Sequence, residues 1–248
     1  MTSTMQDKRV RKAIIIAAWL CLWQVMSLVI NNQILFAGPY ETIKALISLG
    51  ASGGFWFSLL STTMRIIGGF LAGSVIGMIL AYVSYKVSLF GDIISPFISV
   101  IKSIPVASFV ILLLIWFGAP LLAFYVTALV VFPMIYLNTY EGLCATDMKL
   151  LEMAKIFRMK DSAVIRYIYL PSLKPFLAGA FKLACGMAWK SGIAAEVIAR
   201  PLNSIGNNIY LSKVYIDTAE LFAWTFMAIL LAFLFEKLMS LAVRRFSK

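Results

Sequence analysis

The sequence contains no histidine, only three cysteines and only 11 acidic residues among its 248 positions. Without histidine, the chain lacks the side chain best suited to acid–base catalysis near neutral pH, which is also the commonest metal ligand. Cys21, Cys144 and Cys185 have neither the spacing of a metal site nor an obvious disulfide partner. We therefore expect neither a metal site nor histidine-based catalysis.

A phosphate-binding loop of the form G-x-x-x-x-G-K-[ST] is also missing, so the chain does not bind nucleotide phosphates by that route. The net charge of +11 would favour nucleic acid in a soluble protein. Here the basic residues flank apolar runs, which is typical of membrane topology determinants, so we expect no nucleic-acid partner. A serine–lysine hydrolase is a weak alternative, because Lys190 and Ser191 are adjacent and adjacent helical residues do not face one another.

Apolar residues are in excess, at 62% of the chain, and the mean hydropathy is +0.92. Soluble domains are nearer half apolar, so the excess is expected to face lipid. Several apolar runs approach or exceed the roughly 18 residues that a helix needs to cross a bilayer. We predict an all-α membrane protein with six spans, at residues 13–30, 57–85, 103–117, 121–138, 176–199 and 221–243.

The runs divide the chain into parts. The predicted parts are a cytoplasmic N-terminus at 1–12, a first span at 13–30, an interfacial segment at 38–54 and a core of five spans at 55–248. Residues 86–102 are predicted to be a short polar connection. Gly69, Gly73 and Gly77 stand four residues apart in the second span, where small residues would allow another helix to approach closely.

Lysine and arginine are distributed unequally between the two sides of this topology. Fifteen fall on the side of the termini and of a large charged loop at 139–175, and three fall on the other side. Because basic residues are enriched in cytoplasmic loops, both termini and the loop are predicted to be cytoplasmic.

The charged loop contains a short amphipathic pattern. Leu150, Leu151, Ala154 and Phe157 follow helical spacing, and Asp147 is a suitable N-cap just before them. A helix with such a face either lies on lipid headgroups or inserts into a groove of a soluble partner. Spacing alone does not decide between these two interpretations.

The loop and its flanks resemble a known family. Glu152-x-Ala154, followed at fixed spacing by Leu170-Pro171, is similar to the EAA loop of ABC-importer permeases, in which Glu-Ala-Ala precedes a glycine and then Leu-Pro. Further stretches similar to the nitrate/sulfonate/taurine group of these permeases are Ser103-Ile104-Pro105, Trp116-Phe117-Gly118, Phe132-Pro133, Asn138-Thr139, Ala188-Trp189 and Ala195-Glu196. The resemblance extends roughly from Ser58 to Arg245.

This resemblance implies a type I ABC-importer permease fold with a cytoplasmic coupling helix, in the inner membrane of a bacterial cell. It implies a homodimer, a separate cytoplasmic ATPase that binds ATP and Mg, and an extracytoplasmic substrate-binding protein, so the chain itself would be no enzyme. The residues expected to dock the ATPase are Leu150, Leu151, Glu152, Met153, Ala154, Phe157, Arg158, Leu170 and Pro171. Glu152 and Lys155 are expected to orient the helix.

The loop departs from the family pattern at two positions. Met153 replaces the first alanine, and Arg158 stands where the family usually has glycine. If that glycine is left-handed, arginine there costs about 1 kcal/mol or more, and the turn is strained or built differently.

Charged residues inside the predicted spans need a partner, water or an interface. Arg65, Lys190 and Glu196 are therefore candidates for lining a pathway, whereas Lys182 and Glu236 lie near span ends, from which they can snorkel. Lys190 and Glu196 are six residues apart, on different helix faces, so they form no simple i,i+4 pair. A buried ion pair between helices is an equally good interpretation of such charges.

The solute is only weakly indicated. Lys190 and Arg200 favour an anion of the nitrate, sulfonate or taurine class. A pyrimidine-type vitamin precursor is the alternative solute. The alternative function is a stand-alone channel or secondary carrier, which would work without nucleotide.

Overall fold

The computed structural model describes residues 2–32 and 34–246, and this part of the chain is helical without strands, as predicted. The helices are α1 (Thr2–Ile30), α2 (Pro39–Gly50), α3 (Gly53–Lys86), α4 (Ser88–Ser103), α5 (Val106–Phe117), α6 (Leu122–Cys144), α7 (Met148–Ile156), α8 (Asp161–Val164), α9 (Leu170–Ala199), α10 (Ile205–Val214) and α11 (Thr218–Phe246). A single π-helical turn, Ile165–Tyr169, joins α8 to α9. Helix α2 occupies most of the predicted interfacial segment at 38–54.

Among the described residues, four stretches are long and apolar enough to cross a membrane. They are Ala13–Ile30, Gly53–Lys86, Leu122–Cys144 and Thr218–Val243. Helices α4 and α5 meet at an angle of 104° and form either a broken span, which would be the fifth, or a re-entrant loop. Helix α9 has 30 residues but is not among the apolar stretches, because lysines and a glutamate interrupt it. Six spans therefore remain a prediction.

The polar connection predicted at residues 86–102 is wrong, because Ser88–Ser103 form helix α4. Ile98 and Ile101 of α4 are buried in a cluster with Ala81 of α3 and with Phe132 of α6. Gly, Ser and Pro are loop signals in a sequence, and α4 contains all three, including Pro96 within the helix. The apolar face that packs on α3 and α6 prevails over those local signals.

A three-helix centre of α3, α6 and α9 supports the rest of the fold. Gly69, Gly73 and Gly77 of α3 are buried against the backbone of α6. A methyl group added to these glycines would lie 2.3 Å from Phe124 O, 2.5 Å from Ala128 O and 2.8 Å from Phe132 O. The predicted close helix approach is confirmed. Its consequence is that α3 and α6 cannot separate or slide without losing the close packing at Gly69, Gly73 and Gly77, which we call the glycine seam.

The bundle has two ends that differ in structure. At the α7 end, Tyr136 of α6 donates a hydrogen bond to Ser84, near the last turn of α3, at 3.0 Å. At the α10 end, Asn208 of α10 donates to Ser58, near the first turn of α3, at 3.1 Å. Helix α9 runs from the α7 end to the α10 end and connects the two.

Candidate functional site

Helix α7 is the short helix predicted within the charged loop. It begins after Asp147, whose Oδ1 accepts a hydrogen bond from the backbone N–H of Lys149 at 2.9 Å. The predicted N-cap is confirmed. A carboxylate at this position also interacts favourably with the positive end of the helix dipole.

The end of α7 is a left-handed turn at Arg158, whose φ is +49°. The N–H of Arg158 donates to Lys155 O at 3.1 Å, and the N–H of Met159 donates to Ala154 O at 2.9 Å. This pair of bonds is a Schellman motif, in which glycine is the usual left-handed residue. The turn therefore has the form that glycine would give it, and Arg158 adopts it at a cost of about 1 kcal/mol.

The predicted docking face of α7 is only partly exposed. Ala154 is 4% exposed and Leu151 is half-buried, so both face the chain itself. Leu150, Met153 and Phe157 are exposed. Ile156, which the sequence pattern did not single out, is more exposed, at 78%, than the other large apolar side chains of the charged loop. The outward apolar surface is therefore centred on Met153 and Phe157, which were predicted, and on Ile156, whereas Leu151 and Ala154 of the predicted face point inward.

The π-helical turn fixes the charged loop to α3. Tyr169, at its end, is buried and accepts a hydrogen bond from Lys86 Nζ at 3.3 Å. The rings of Tyr82 and Tyr85 lie 6.3 and 5.7 Å from that of Tyr169, both edge-on. The last turn of α3 is thereby joined to the start of α9. Leu170 and Pro171 open α9 directly after this anchor and are exposed.

A cavity of about 530 Å³ separates α7 from the end of α3. Glu152, Lys155 and Arg158 line it from the loop, and Lys86 lines it from α3. The charged residues expected to orient α7 thus lie along the inner edge of the helix, beside the exposed apolar surface.

Glu196 and Arg65, two of the pathway candidates, form a closed ion pair at the α10 end. Glu196 is fully buried, and its Oε1 accepts from Arg65 Nη1 at 3.1 Å. Its Oε2 accepts from Thr62 Oγ1 at 2.8 Å and from the backbone N–H of Gly206 at 3.2 Å. Both oxygens are satisfied, and the pair connects α3, α9 and the start of α10.

Lys190, the third candidate, is placed apart from that pair. It is exposed and lines a groove of about 500 Å³ between α9, α10 and α11. Among the described residues, Lys190 forms no ion pair. Glu236 of α11 lines the same groove and lies 3.9 Å from Lys182 Nζ. Lys182 and Glu236 were expected to snorkel because they lie near span ends, and residues 54 positions apart give no sequence signal that they meet.

The chain is similar to known transport proteins over most of its length. The family described as binding-protein-dependent transport system inner membrane component matches residues 73–248. A probable ABC transporter permease protein of Brucella melitensis is 21% identical over 88% of this chain and 89% of its own length. A putative aliphatic sulfonates transport permease protein of Bacillus subtilis is 26% identical over 84% and 75%. The nitrate import permease protein of Synechococcus elongatus is 24% identical over 73% and 68%.

The family match includes the glycine seam from Gly73 onward, the charged loop, α9 and α11. It covers well over half of the sequence, and the helical architecture agrees with it. The chain therefore belongs to the inner membrane components of binding-protein-dependent transport systems, the permease subunits of ABC importers.

Proposed function

We propose that this chain imports a small anion and is driven by an ATPase subunit that docks on α7. One observation carries the docking: α7 presents exposed apolar side chains, Met153, Ile156 and Phe157, on a short helix whose two ends are fixed. Exposed apolar clusters rimmed by charge are typical of protein interaction sites. The sequences of the relatives support the same assignment, since they are permease subunits.

A docked ATPase can drive transport only if it binds two conformations of the permease with different free energy. Hydrogen bonds in the structure form a rigid connection from α7 to the membrane helices, through which ATPase binding could favour one conformation. Helix α7 is closed at both ends by hydrogen bonds, and the π-helical turn attaches the loop to α3 through Tyr169 and Lys86. A displacement of α7 would therefore move the ends of α3 and α9 together.

The other partners follow from the family and from charge. A substrate-binding protein would deliver the solute at the α10 end, and the α7 end would be cytoplasmic because most of the basic residues accompany it. A second copy of this chain would complete the pathway, since an exposed lysine on a membrane helix requires a partner or an aqueous surface.

The anion class rests on two supports. Relatives carry the names of nitrate and aliphatic sulfonate permeases, and Lys190 is an exposed, unpaired cation on α9 within the described part of the chain. Among the pathway candidates, Lys190 is therefore the residue proposed to contact the solute. Arg65 and Glu196 are proposed to hold helices together.

The docking is tested by the purified transporter, reconstituted with its ATPase and binding protein. We expect Ile156→Asp, Phe157→Asp and Glu152→Arg to abolish solute-stimulated ATP hydrolysis and ATPase co-purification, with the chain still folded. Ile47→Asp is the matched control, because Ile47 is similarly exposed, at 72%, but lies on α2. Full stimulated hydrolysis in Ile156→Asp would contradict the docking.

Ala154→Asp serves as a comparator for folding rather than for docking. Ala154 is buried, so an aspartate there places an unpaired charge inside the loop. We expect this variant to lose thermal stability as well as activity. Uptake that survives ATP depletion in the unaltered protein would favour the channel or carrier alternative over an importer.

A further inference from the structure

Two adjoining cavities form a continuous groove along α9 and α11, which we name the lysine groove. The first, of about 500 Å³, is lined by Lys190, Trp189 and Gly186 from α9 and by Glu236 from α11. The second, of about 430 Å³, is lined by Lys182 and again by Glu236. Glu236 is the charged residue that both cavities share.

The floor of the groove is a straight stripe on α9. Lys182, Gly186 and Lys190 are spaced four residues apart and therefore lie on one helix face. The two lysines are separated by about 12 Å along the helix axis. Apart from the adjoining backbone of α9, no described atom lies within 4 Å of where a side chain on Gly186 would begin, so the path between the lysines is open.

Positive charge in the groove exceeds negative charge. Lys182, Lys190 and Lys237 line it, against the single carboxylate of Glu236. At 3.9 Å the contact from Lys182 to Glu236 is long, and no hydrogen bond joins the two residues. Trp189, 2% exposed in the groove wall, adds an indole N–H that has no acceptor among the described residues.

Charged side chains in membrane helices usually pair with one another or face water, and this surplus of positive charge departs from that rule. In a two-fold symmetric pair of chains the same face occurs on both copies, so the excess would double rather than cancel. An anion entering the groove would supply the missing partner. One carboxylate between two lysines can occupy the place of that anion while the groove is empty.

We propose that Glu236 is a built-in counter-ion: the transported anion first binds Lys190 and then displaces Glu236 from Lys182. This inference rests on the proposed function, because it assigns roles along the pathway of that importer. Glu236 pairs with Lys182 in the structure, and Lys190, which pairs with no carboxylate in the described part of the chain, is available to the arriving anion. When the anion moves on towards Lys182, the carboxylate is released and neutralises Lys190, so that neither lysine is left unpaired.

The test uses the purified full chain in lipid nanodiscs, with sodium methanesulfonate as the probe in a constant background of sodium chloride. Binding is measured as the shift of the thermal unfolding midpoint. Glu236→Gln should lower the half-saturating concentration about five-fold, because it frees Lys182, which the carboxylate occupies, and removes a negative charge from the groove. Lys190→Met should raise it about ten-fold or more, because a charge-assisted contact is lost. The double variant should behave like Lys190→Met.

Glu220→Gln is the matched control for the carboxylate, because Glu220 lies on the same helix outside the groove, and Lys213→Met is the control for a lost lysine. Both should bind as the unaltered chain does. An unchanged or weaker affinity in Glu236→Gln overturns the counter-ion role.

The proposed function fails separately. An assembled transporter whose methanesulfonate uptake is independent of ATP contradicts the importer, whatever Glu236 does. ATP-driven uptake combined with unchanged binding in Glu236→Gln contradicts the counter-ion alone. If methanesulfonate shifts the unfolding midpoint of neither the unaltered chain nor any variant, both the anion class and the counter-ion role are overturned.

Discussion

Two groups of charged side chains lie within the long helices, and they differ in how completely they are paired. The buried carboxylate of Glu196 accepts three hydrogen bonds. They come from the side chains of Arg65 and Thr62 and from a backbone N–H of α10. In the lysine groove, Lys190 forms no ion pair with any described residue, and the contact from Lys182 to Glu236 is long. The fold pairs the charges of the first group fully, whereas it pairs those of the second group only in part.

This difference distinguishes charges that hold helices together from charges that could bind a transported solute. A fully buried carboxylate that already accepts three hydrogen bonds is closed to a passing solute, which could bind it only by breaking those bonds. A loosely paired carboxylate beside a surplus of lysines can do so. At the α10 end, the Glu196 carboxylate would thus hold α3, α9 and α10 together. The face of α9 towards α11 would be the surface on which charged groups change partners.

The most damaging change should be Glu196→Ala. It leaves Arg65, whose side chain is 17% exposed, without its partner, and removal of one member of a buried pair costs about 3–5 kcal/mol. We expect a large fall in the thermal unfolding midpoint of the purified chain in nanodiscs. Glu236→Ala is the comparison on the other group and should change the midpoint little. Equal losses from the two variants would erase the distinction drawn between these groups.

The double variant Arg65→Met with Glu196→Leu should recover most of that loss. Replacing both members of a buried ion pair by apolar side chains of similar size is often nearly neutral, because no buried charge remains unpaired. Thermal unfolding of the two single variants and the double variant forms a double-mutant cycle. If the double variant folds but transports nothing, Glu196 or Arg65 acts in the pathway after all.

The sequence could indicate the helices and the membrane class, because long apolar runs and their basic flanks are local signals. It also placed α7 and its N-cap, since Asp147 and the helical spacing lie within one short segment. It could not assign Glu196 to Arg65, which is 131 residues away, or Glu236 to Lys182. Those pairings depend on how the helices are arranged. Ile156 was missed, and Leu151 and Ala154 were wrongly expected to face outward, because an apolar side chain gives no sign of which way it faces.

Lys190→Met should spare the fold and impair transport. Lys190 is exposed and forms no ion pair with the described residues, so its loss leaves no buried charge behind. Uptake of methanesulfonate by the assembled transporter should fall about ten-fold, as expected for one charge-assisted contact. Competition by a neutral pyrimidine should not change. Unaltered methanesulfonate uptake would remove Lys190 from the pathway and with it the functional half of the comparison.

The smallest effect should come from two arginines that occupy left-handed turns, one at each end of the bundle. Arg158 ends α7 with φ +49°, and Arg200 ends α9 with φ +54°. Arg158→Gly relieves backbone strain and should stabilise the chain by up to about 1 kcal/mol. Arg200→Gly relieves the same strain but loses the stacking of Arg200 on Tyr210, at 4.7 Å from the ring centre, which offsets a similar amount.

Thermal unfolding of both variants would therefore extend the comparison from the helices to their ends. A higher midpoint for Arg158→Gly and an unchanged one for Arg200→Gly would mean that the α10 end uses its strained residue in packing, while the α7 end does not. The arginine at position 158 would then have to be explained by the docked ATPase. In that case, Arg158→Gly should stabilise the isolated chain and yet weaken ATPase co-purification. An equal rise of the unfolding midpoint in both variants would show that neither arginine is held by its surroundings.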